Sequence, residues 1–353
     1  MSKLTKSLLV TAVLVALSFG GAAFALYSRL QKFGETPFAD EAKAPAVRVA
    51  IPRGATTQAI AQALEDAGII KNARHFYLYT RYLKSSDHLL RPGEYDISPS
   101  LPPSAIMARL IKGDVVTYKF TVPEGANLKE IARIIGASKL VEEPEVYKLM
   151  TDAAFARALE VPEAQDTLEG YLFPDTYRFP SGVDPKDLLR VMRQKLAKVM
   201  TPDVVERGKA RGLTPHQILT LASIVEKETG AGKERPIISA VFHNRITQGW
   251  KLQTDPTVIY GVPDFDGNIT KKHLETAHPY NTYIIKGLPP GPIASPGSAA
   301  IEAAVSPADV KYMFFVAQND GTHVFCETLA CHNKNVQKWQ VDFFRKPKQD
   351  KGG

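Results

Sequence analysis

The chain has 353 residues, of which 44% are hydrophobic and 23% are charged, and its formal net charge is +7 at pH 7. This length allows two or three domains with a large core, and the positive charge favours acidic partners such as anionic lipid or an acidic polymer. The lysines and arginines are scattered, without a basic run interleaved with aromatic residues, which argues against nucleic acid as a partner. The two cysteines, Cys326 and Cys331, lack metal-site spacing, so neither a metal site nor another cofactor is expected.

The N-terminus predicts a membrane span. Two lysines precede a charge-free, largely apolar run over residues 7–26, which has about the length of a bilayer crossing. Residues 23–25 (AFA) resemble a signal-peptidase site, so a cleaved signal is the alternative. The length of the run and the membrane-bordering Tyr27 and Arg29 favour an uncleaved anchor, and the absence of a second span favours export of the body.

An internal repeat follows the N-terminal segment. Residues 49–61 (VAIPRGATTQAIA) match residues 120–132 (FTVPEGANLKEIA). Each copy predicts a short strand, a Pro-x-Gly turn, a polar helix cap at Thr56 or Asn127, and a helix. Between the copies we predict helices at 74–83 and 103–111 and a strand at 93–97.

This β-α-α-β pattern with its Pro-x-Gly turn resembles LysM modules, which bind N-acetylglucosamine glycans. The resemblance predicts a small LysM-like module, with glycan binding as one expectation. A structural adaptor that binds no glycan is the alternative.

The segment 214–228 (TPHQILTLASIVEKE) predicts a helix with a well-marked start. Thr214 is an N-cap candidate, a proline occupies the first helical position, and Gln217 completes a capping box. Apolar residues then recur at three- and four-residue steps, which defines a stripe that faces the core.

Two carboxyl side chains flank this stripe. Glu226 lies one turn above two small residues that leave room for a ligand, and desolvation there would favour the neutral carboxyl that can donate a proton. Its non-catalytic alternative is a solvated pair with Lys227 or Lys233. Glu228 lies at the opposite edge, over bulkier neighbours, and is the competing acid.

Two loop segments suggest a carbohydrate cleft. Residues 167–179 (TLEGYLFPDTYRF) combine rings with carboxylates, and residues 287–297 (GLPPGPIASPG) predict a tightly specified loop that shapes a cleft. Rings beside hydrogen-bonding groups suit sugars, whose faces are apolar and whose rims are polar; core packing is the alternative for any single ring. The sequence contains no P-loop, dinucleotide fingerprint, HExxH or GxSxG motif, so carboxylate chemistry on glycosides remains.

Four separated motifs carry a specific resemblance. In order and spacing they are similar to the endolytic murein transglycosylases (MltG, YceG-like), and the resemblance runs from the membrane anchor to the terminal helix. It implies a single-pass inner-membrane protein whose body faces the periplasm and cuts nascent peptidoglycan strands. It also implies that Glu226, the first Glu of SIVEKET, is the catalytic acid. The motifs are SIVEKET at 223–229, LQTDPTVIYG at 252–261, YNTY at 280–283 and GLPPGPIASPG at 287–297.

The chemistry expected from one dominant carboxyl is a lyase reaction. Protonated Glu226 would donate to the glycosidic oxygen between N-acetylmuramic acid and N-acetylglucosamine, while the muramyl acetamido oxygen stabilises C1. Glu226 would then take the proton of the muramyl C6 hydroxyl, which closes a 1,6-anhydro ring without water. For Asp255, the alternative to substrate binding is that it caps a turn with Pro256. The candidate substrate-binding residues are Gln253, Thr254, Asp255, Tyr280, Asn281 and Tyr283.

The predicted fold class is α+β, with an N-terminal transmembrane helix, a small LysM-like βααβ module and a larger mixed α/β catalytic domain. Peptidoglycan strands are the expected substrate, and peptidoglycan synthases are expected partners. A non-catalytic wall-binding scaffold and a hydrolytic muramidase remain open as other functions. Cys326 and Cys331 are predicted to form a disulfide if the body is periplasmic. The predicted segments are 1–30 (cytoplasmic tip and anchor), 31–46 (linker), 47–118 (LysM-like module), 119–345 (catalytic domain) and 346–353 (tail).

Overall fold

The computed structural model describes residues 3–39, 44–86, 89–163 and 165–345. The predicted mixture of helices and strands is confirmed. The predicted tail (346–353) and the centre of the predicted linker (40–43) lie outside the described residues. The chain divides into two compact units, of which the first is Met1–Tyr118 with Phe179–Gly182 and the second is Lys119–Arg178 with Val183–Gly353.

Helices account for most of the regular structure. The α-helices are α1 (Lys3–Glu35), α2 (Thr57–Asp66), α3 (Ala73–Leu78), α4 (Pro103–Lys112), α5 (Leu128–Ala137), α6 (Glu143–Met150), α7 (Ala153–Ala158), α8 (Pro185–Val199), α9 (Pro202–Ala210), α10 (Pro215–Glu228), α11 (Arg235–Thr247), α12 (Asp255–Gly261), α13 (Lys271–Glu275), α14 (Ser298–Val305), α15 (Leu329–Val336) and α16 (Phe343–Arg345). Short π-helical or 3₁₀ segments are Tyr79–Leu83, Gly232–Glu234 and Gln337–Asp342.

The strands form two-stranded sheets, in which β1 pairs with β2, β3 with β4, and β5 with β6. The strands are β1 (Val47–Ile51), β2 (Gly93–Ile97), β3 (Thr117–Thr121), β4 (Thr176–Pro180), β5 (Phe314–Ala317) and β6 (His323–Cys326).

Helix α1 contains, within Thr11–Glu35, a segment long and apolar enough to cross a membrane. It also continues beyond the predicted end of the anchor. Leu30 is buried, and Gly34 lies so close to Tyr79 that an added Cβ would stand 2.4 Å from the ring. Packing against α3 and α4 keeps residues 31–35 helical, where the sequence predicted a linker, because local composition carries no information about such a tertiary contact.

The first unit has the predicted strand-helix-helix-strand order. Strands β1 and β2 pair antiparallel, with Val47 opposite Ile97 and Ile51 opposite Gly93. The helix predicted at 74–83 is observed as α3 followed by a π-helical turn. Three aromatic side chains, those of Phe76, Tyr79 and Tyr95, are fully buried in the core of this unit.

Both copies of the repeat adopt the same local structure. Gly54 and Gly125 each have φ of +77°, a left-handed conformation that glycine adopts without a steric penalty. Thr56 and Asn127 then cap α2 and α5, each side chain accepting a hydrogen bond from the backbone N–H three residues ahead. The repeated sequence therefore encodes a repeated strand-turn-helix start.

Helix α10 is the most buried helix of the second unit. Its predicted capping box is confirmed: the Gln217 N–H donates to Thr214 Oγ1 at 3.2 Å, and the Thr214 N–H donates to Gln217 Oε1 at 2.9 Å. Every residue from Ile218 to Glu226 is buried, because α11 and α14 pack against this helix. The apolar stripe thus predicted the helix correctly, but neighbouring elements bury more of the helix surface than the stripe alone indicated.

The Pro/Gly-rich segment 287–297 is largely buried against α10. The Ile293 N–H donates to Ser223 Oγ at 3.0 Å, and the Ser295 carbonyl accepts from the Gly125 N–H at 2.8 Å. All residues from 291 to 297 are buried. The second half of this loop therefore packs as core, because its backbone groups find partners on α10 and the second repeat turn.

Candidate active site

A cleft of about 430 Å³ lies at the C-terminal end of α10, within the size range of ligand-binding pockets. Its walls come from α10, α11, the loop before α12, the β5-β6 hairpin and α15. Its polar lining residues are Glu228, Arg245, Gln253, Asp255, Tyr283, His323, His332 and Gln340. Its apolar lining residues are Phe314, Phe315, Val316, Ala317, Leu329 and Val336.

Glu228 places a carboxyl group in this cleft. Burial raises its pKa to about 7, and the negative charge of Asp255 acts in the same direction. The hydroxyl of Thr254, which donates to Glu228 Oε1, and the cation of Arg245 both oppose this rise. A carboxyl with a pKa near 7 is protonated in a large fraction of molecules at neutral pH, as a general acid must be.

Thr254 is held in place by two other buried threonines. Its backbone N–H donates to Thr282 Oγ1 at 3.1 Å, and its carbonyl accepts from Thr257 Oγ1 at 2.8 Å. The hydroxyls of Thr257 and Thr282 lie 2.8 Å apart. These bonds join two of the sequence motifs, 252–261 and 280–283, and fix the hydroxyl that contacts Glu228.

Glu226 lies on the same helix in different surroundings. Its side chain is 4% exposed. Its Oε1 accepts from Arg235 Nη2 at 2.8 Å, and its Oε2 accepts from the Gly297 N–H at 2.9 Å. Both oxygens therefore have a protein donor, one of which is the Arg235 guanidinium.

These partners approach Glu226 from segments distant in sequence. Gly125, whose added Cβ would lie 3.7 Å from Glu226 Cγ, lines a separate pocket of about 390 Å³ together with Glu124 and Lys227. The alternative for Glu226 was a solvated ion pair with Lys227 or Lys233. Neither lysine is among the described partners of the two Glu226 carboxyl oxygens. Lys227, a residue named for that pair, instead donates to the Gly125 carbonyl at 3.2 Å.

Three of the predicted substrate-binding residues line the cleft of Glu228: Gln253, Asp255 and Tyr283. Asp255 begins α12, and its Oδ1 accepts a hydrogen bond from the Tyr283 hydroxyl at 2.7 Å. Gln253 is exposed and has φ of +50°, a strained conformation for a side chain of its size. Its backbone N–H donates to the Thr282 carbonyl at 3.1 Å.

Tyr280 and Asn281 lie in other surroundings. Asn281 is buried, and its Nδ2 donates to three backbone carbonyls of residues 273–276 at 2.8 to 3.1 Å. The Tyr280 ring lies 4.8 Å from that of Tyr260, beside the buried Glu169, whose pKa burial raises to about 8. The geometry thus gives Asn281 a bracing role for its own loop and places the half-buried Tyr280 against the half-buried Tyr260.

Arg245 is a cleft residue that the sequence did not single out. It is buried, its Nε donates to the Met313 carbonyl at 2.8 Å, and its Nη1 donates to the Leu252 carbonyl. Its guanidinium lies over the Phe314 ring, 5.5 Å from the centroid. Because most of these partners are far from Arg245 in the sequence, no local sequence pattern predicts the contacts.

The cleft also contains two histidines, His323 and His332, that the sequence did not indicate as site residues. His323 is fixed by Glu234, which accepts from the His323 N–H at 2.9 Å and contacts its Nδ1 at 2.7 Å. The His332 ring stacks on Phe314 at 5.1 Å, and burial lowers its pKa. Among the described residues, no group of three or more His, Cys, Asp or Glu side chains could hold a metal ion.

The predicted disulfide between Cys326 and Cys331 is confirmed, with the two Cα atoms 5.7 Å apart. It joins β6 to α15. Because β6 supplies His323 and α15 supplies His332, the bond ties together two elements of one wall of the cleft.

Comparison with known proteins identifies the family. Residues 49–338 match the model of the YceG-like family. The chain is 34% identical over 310 residues to the endolytic murein transglycosylase of Bacillus subtilis (strain 168), which covers 83% of this chain and 84% of that protein. It is 30% identical over 320 residues to the endolytic murein transglycosylase of Streptococcus pneumoniae (strain D39), which covers 82% of this chain and 58% of that longer protein.

A solved structure agrees with this result. The crystal structure of a YceG-like protein from Listeria monocytogenes has a TM-score of 0.58 and 32% sequence identity, and the match covers 83% of this chain and 100% of that one. The family model covers residues 49–338, which is most of the chain. The chain belongs to the YceG-like family.

Proposed function

We propose that this protein is an endolytic murein transglycosylase, a lyase that cuts peptidoglycan strands between N-acetylmuramic acid and N-acetylglucosamine. The observation that carries the proposal is Glu228, an acid with a pKa of about 7 in a cleft that Gln253, Asp255 and Tyr283 also line. The names of the relatives in B. subtilis and S. pneumoniae support the same activity.

In the proposed reaction Glu228 acts first as an acid and then as a base. Its proton moves to the glycosidic oxygen, and the bond from muramyl C1 breaks with the electron pair staying on that oxygen. The muramyl 2-acetamido oxygen stabilises C1. The Glu228 carboxylate then removes the proton of the muramyl C6 hydroxyl, whose oxygen bonds to C1 and closes the 1,6-anhydro ring. Glu228 is protonated again, and no water is consumed.

Two neighbours of Glu228 support this cycle. The Thr254 hydroxyl orients the carboxyl group and donates to its ionised form. The Arg245 cation also favours the carboxylate, which exists between the two proton transfers. Because the pKa of Glu228 lies near neutral pH, neither the donation nor the removal of a proton is strongly unfavourable.

Glu226 is the acid that the sequence and the family resemblance predicted, with Glu228 as its competitor. The ion pair of Glu226 with Arg235 and its bond to the Gly297 N–H support a structural role instead, in which it fastens the 287–297 loop to α10. We therefore assign the proton transfers to Glu228, and paired substitutions of the two carboxyls test this assignment.

The N-terminal helix is part of the proposal. We infer that α1 anchors the protein in the inner membrane with residues 119–345 catalysing cleavage in the periplasm, where disulfides form. A cleaved signal is the alternative, and the intact mass of membrane-extracted protein tests it: a species that begins at Leu26 would contradict the anchor. Residues 47–118 act as a LysM-like glycan-contacting module, and peptidoglycan synthases are the expected partners.

The products identify the reaction. Full-length protein in detergent is incubated with purified peptidoglycan strands, and the masses of the new ends are read. The proposal predicts 1,6-anhydromuramyl ends within the strand. Reducing ends about 18 Da heavier, the mass of one water, would indicate a hydrolytic muramidase, and uncut strands would indicate a non-catalytic scaffold.

A further inference from the structure

A second pocket lies in the first unit, where α1 leaves its apolar stretch. Its volume is about 200 Å³. Three cationic residues, Arg29, Lys32 and Lys71, line it together with His75. The apolar part of its lining consists of Phe33, Pro37, Phe38, Ile70 and Pro103.

The cations of this pocket have no counter-charge within the described part of the chain. Arg29, Lys32 and Lys71 are exposed, and none of them forms an ion pair with a described carboxylate. His75 packs edge-on against Phe33 at 5.5 Å, and its pKa is lowered, first by burial and then by Arg29 and Arg74. His75 is therefore neutral at neutral pH and can donate a hydrogen bond without adding charge.

The pocket is held at a fixed place along α1. Leu30 is buried and Gly34 lies against Tyr79, so the last two turns of α1 are packed on the unit that supplies Lys71 and His75. On the N-terminal side of this contact the helix exposes large apolar side chains, among them Phe24 at 72%. In a membrane-anchored protein this boundary between apolar and cationic surface stands at the height of the lipid headgroups.

We propose that this pocket binds the phosphate headgroup of an anionic phospholipid, whose acyl chain follows the apolar surface of α1. The proposal rests on the membrane anchor inferred above and not on the cleavage reaction. Arg29, Lys32 and Lys71 supply the charge for a phosphate oxyanion, and the Phe33 and Phe38 rings cover the glycerol end of the lipid. Inorganic phosphate shares the oxyanion chemistry but has no part that uses this apolar surface.

Lipid retention on the full-length chain tests the proposal. The protein is reconstituted with equal amounts of phosphatidylglycerol and phosphatidylcholine, and native mass spectrometry counts the lipids that stay bound. We expect preferential retention of phosphatidylglycerol. The double substitution Lys32→Gln/Lys71→Gln should reduce that preference by roughly 25-fold, about fivefold for each cation lost near a membrane surface.

A matched control removes the same charge elsewhere. Arg53→Gln/Lys112→Gln replaces two exposed cations of the same unit and should keep the preference. No preference in the wild type, or an equal loss in both double variants, would overturn the proposal. Displacement of phosphatidylglycerol by excess inorganic phosphate would mean that the pocket takes a free oxyanion instead of a lipid.

The experiment is independent of the proposed enzyme activity. Glu228→Gln lies outside this pocket and should retain phosphatidylglycerol as the wild type does. Conversely, Lys32→Gln/Lys71→Gln should still form anhydro ends on detergent-solubilised substrate. Each proposal can therefore fail while the other stands.

Discussion

Glu226 and Glu228 are two residues apart on α10, and their carboxyl groups face opposite surroundings. Glu226 is enclosed by the Arg235 guanidinium at 2.8 Å and the Gly297 N–H at 2.9 Å. Glu228 meets the Thr254 hydroxyl at the edge of a cleft. Because a helix turns about 100° per residue, side chains two positions apart point roughly 200° away from each other. One short motif thus supplies a structural carboxylate and a candidate acid.

The pH dependence of cleavage should report Glu228. We expect kcat/KM to fall as the pH rises through about 7, because only the protonated carboxyl can donate to the glycosidic oxygen. Initial rates of anhydro-end formation across a pH series measure this. A rate that keeps increasing well above neutral pH would contradict the assignment.

Glu228 should also lower stability at neutral and higher pH. Its pKa rises from 4.5 to about 7 on folding, so the unfolded chain releases this proton first as the pH rises. The resulting decrease in the free energy of unfolding is absent below pH 4.5 and grows between pH 4.5 and about 7. Above that window it reaches up to about 3 kcal/mol.

Glu228→Gln removes this decrease, so it should increase the free energy of unfolding above pH 7 and lose the effect below pH 4.5. Urea titrations at the two ends of this range measure the difference. If the variant were less stable than the wild type by the same amount above pH 7 and below pH 4.5, the pKa of Glu228 would not be raised by folding.

Thr254 should act through Glu228. Thr254→Val keeps the volume of this buried side chain but removes the hydroxyl that donates to the carboxylate. We expect a loss of about tenfold in kcat, in line with a hydrogen bond to a charged group, and a shift of the alkaline limb of the pH profile to higher pH. Thr254→Ser should restore both; an unchanged pH profile with unchanged kcat would remove Thr254 from the site.

Asn281 offers a contrast within the predicted substrate-binding set. Its Nδ2 donates to three backbone carbonyls, so Asn281→Asp removes these donors and brings a carboxylate toward carbonyl oxygens. We expect Tm to fall, with a loss of about 2 to 3 kcal/mol in the free energy of unfolding. The KM of the folded variant should stay near that of the wild type. A raised KM with unchanged Tm would instead support direct contact with the sugar.

The disulfide should stabilise one wall of the cleft. Cys326→Ser/Cys331→Ser should lower the free energy of unfolding by about 2 kcal/mol, a modest value because the closed loop is short. Reductant should reproduce the effect in the wild type and leave the double variant unchanged. Equal stability of the wild type with and without reductant would contradict this.

The sequence could predict what depends on neighbours along the chain. The capping box of Thr214 and Gln217, the repeated Pro-x-Gly turn and the disulfide are all determined within a few residues. Helical periodicity also placed two carboxyls at opposite edges of α10. These local rules gave the elements and the segment that carries the site.

The sequence could not predict which carboxyl is enclosed. Small residues beneath Glu226 suggested free space, and Arg235 and Gly297 approach this carboxyl group from other segments. Bulky residues beneath Glu228 suggested crowding, yet Glu228 lines a cleft together with the β5-β6 hairpin and α15. What surrounds a side chain depends on partners that helical periodicity does not specify.

The most direct test of the central claim is the rate of anhydro-end formation by Glu228→Gln and Glu226→Gln, each expressed per folded molecule. We predict that Glu228→Gln loses about 10²–10⁴-fold or more, because the amide cannot cycle a proton, while it remains folded. Glu226→Gln should be less stable, by up to about 3 kcal/mol, because it leaves Arg235 without its closest carboxylate, yet its folded fraction should cleave within about tenfold of the wild-type rate. A folded but inactive Glu226→Gln beside a Glu228→Gln that cleaves at the wild-type rate would contradict the account.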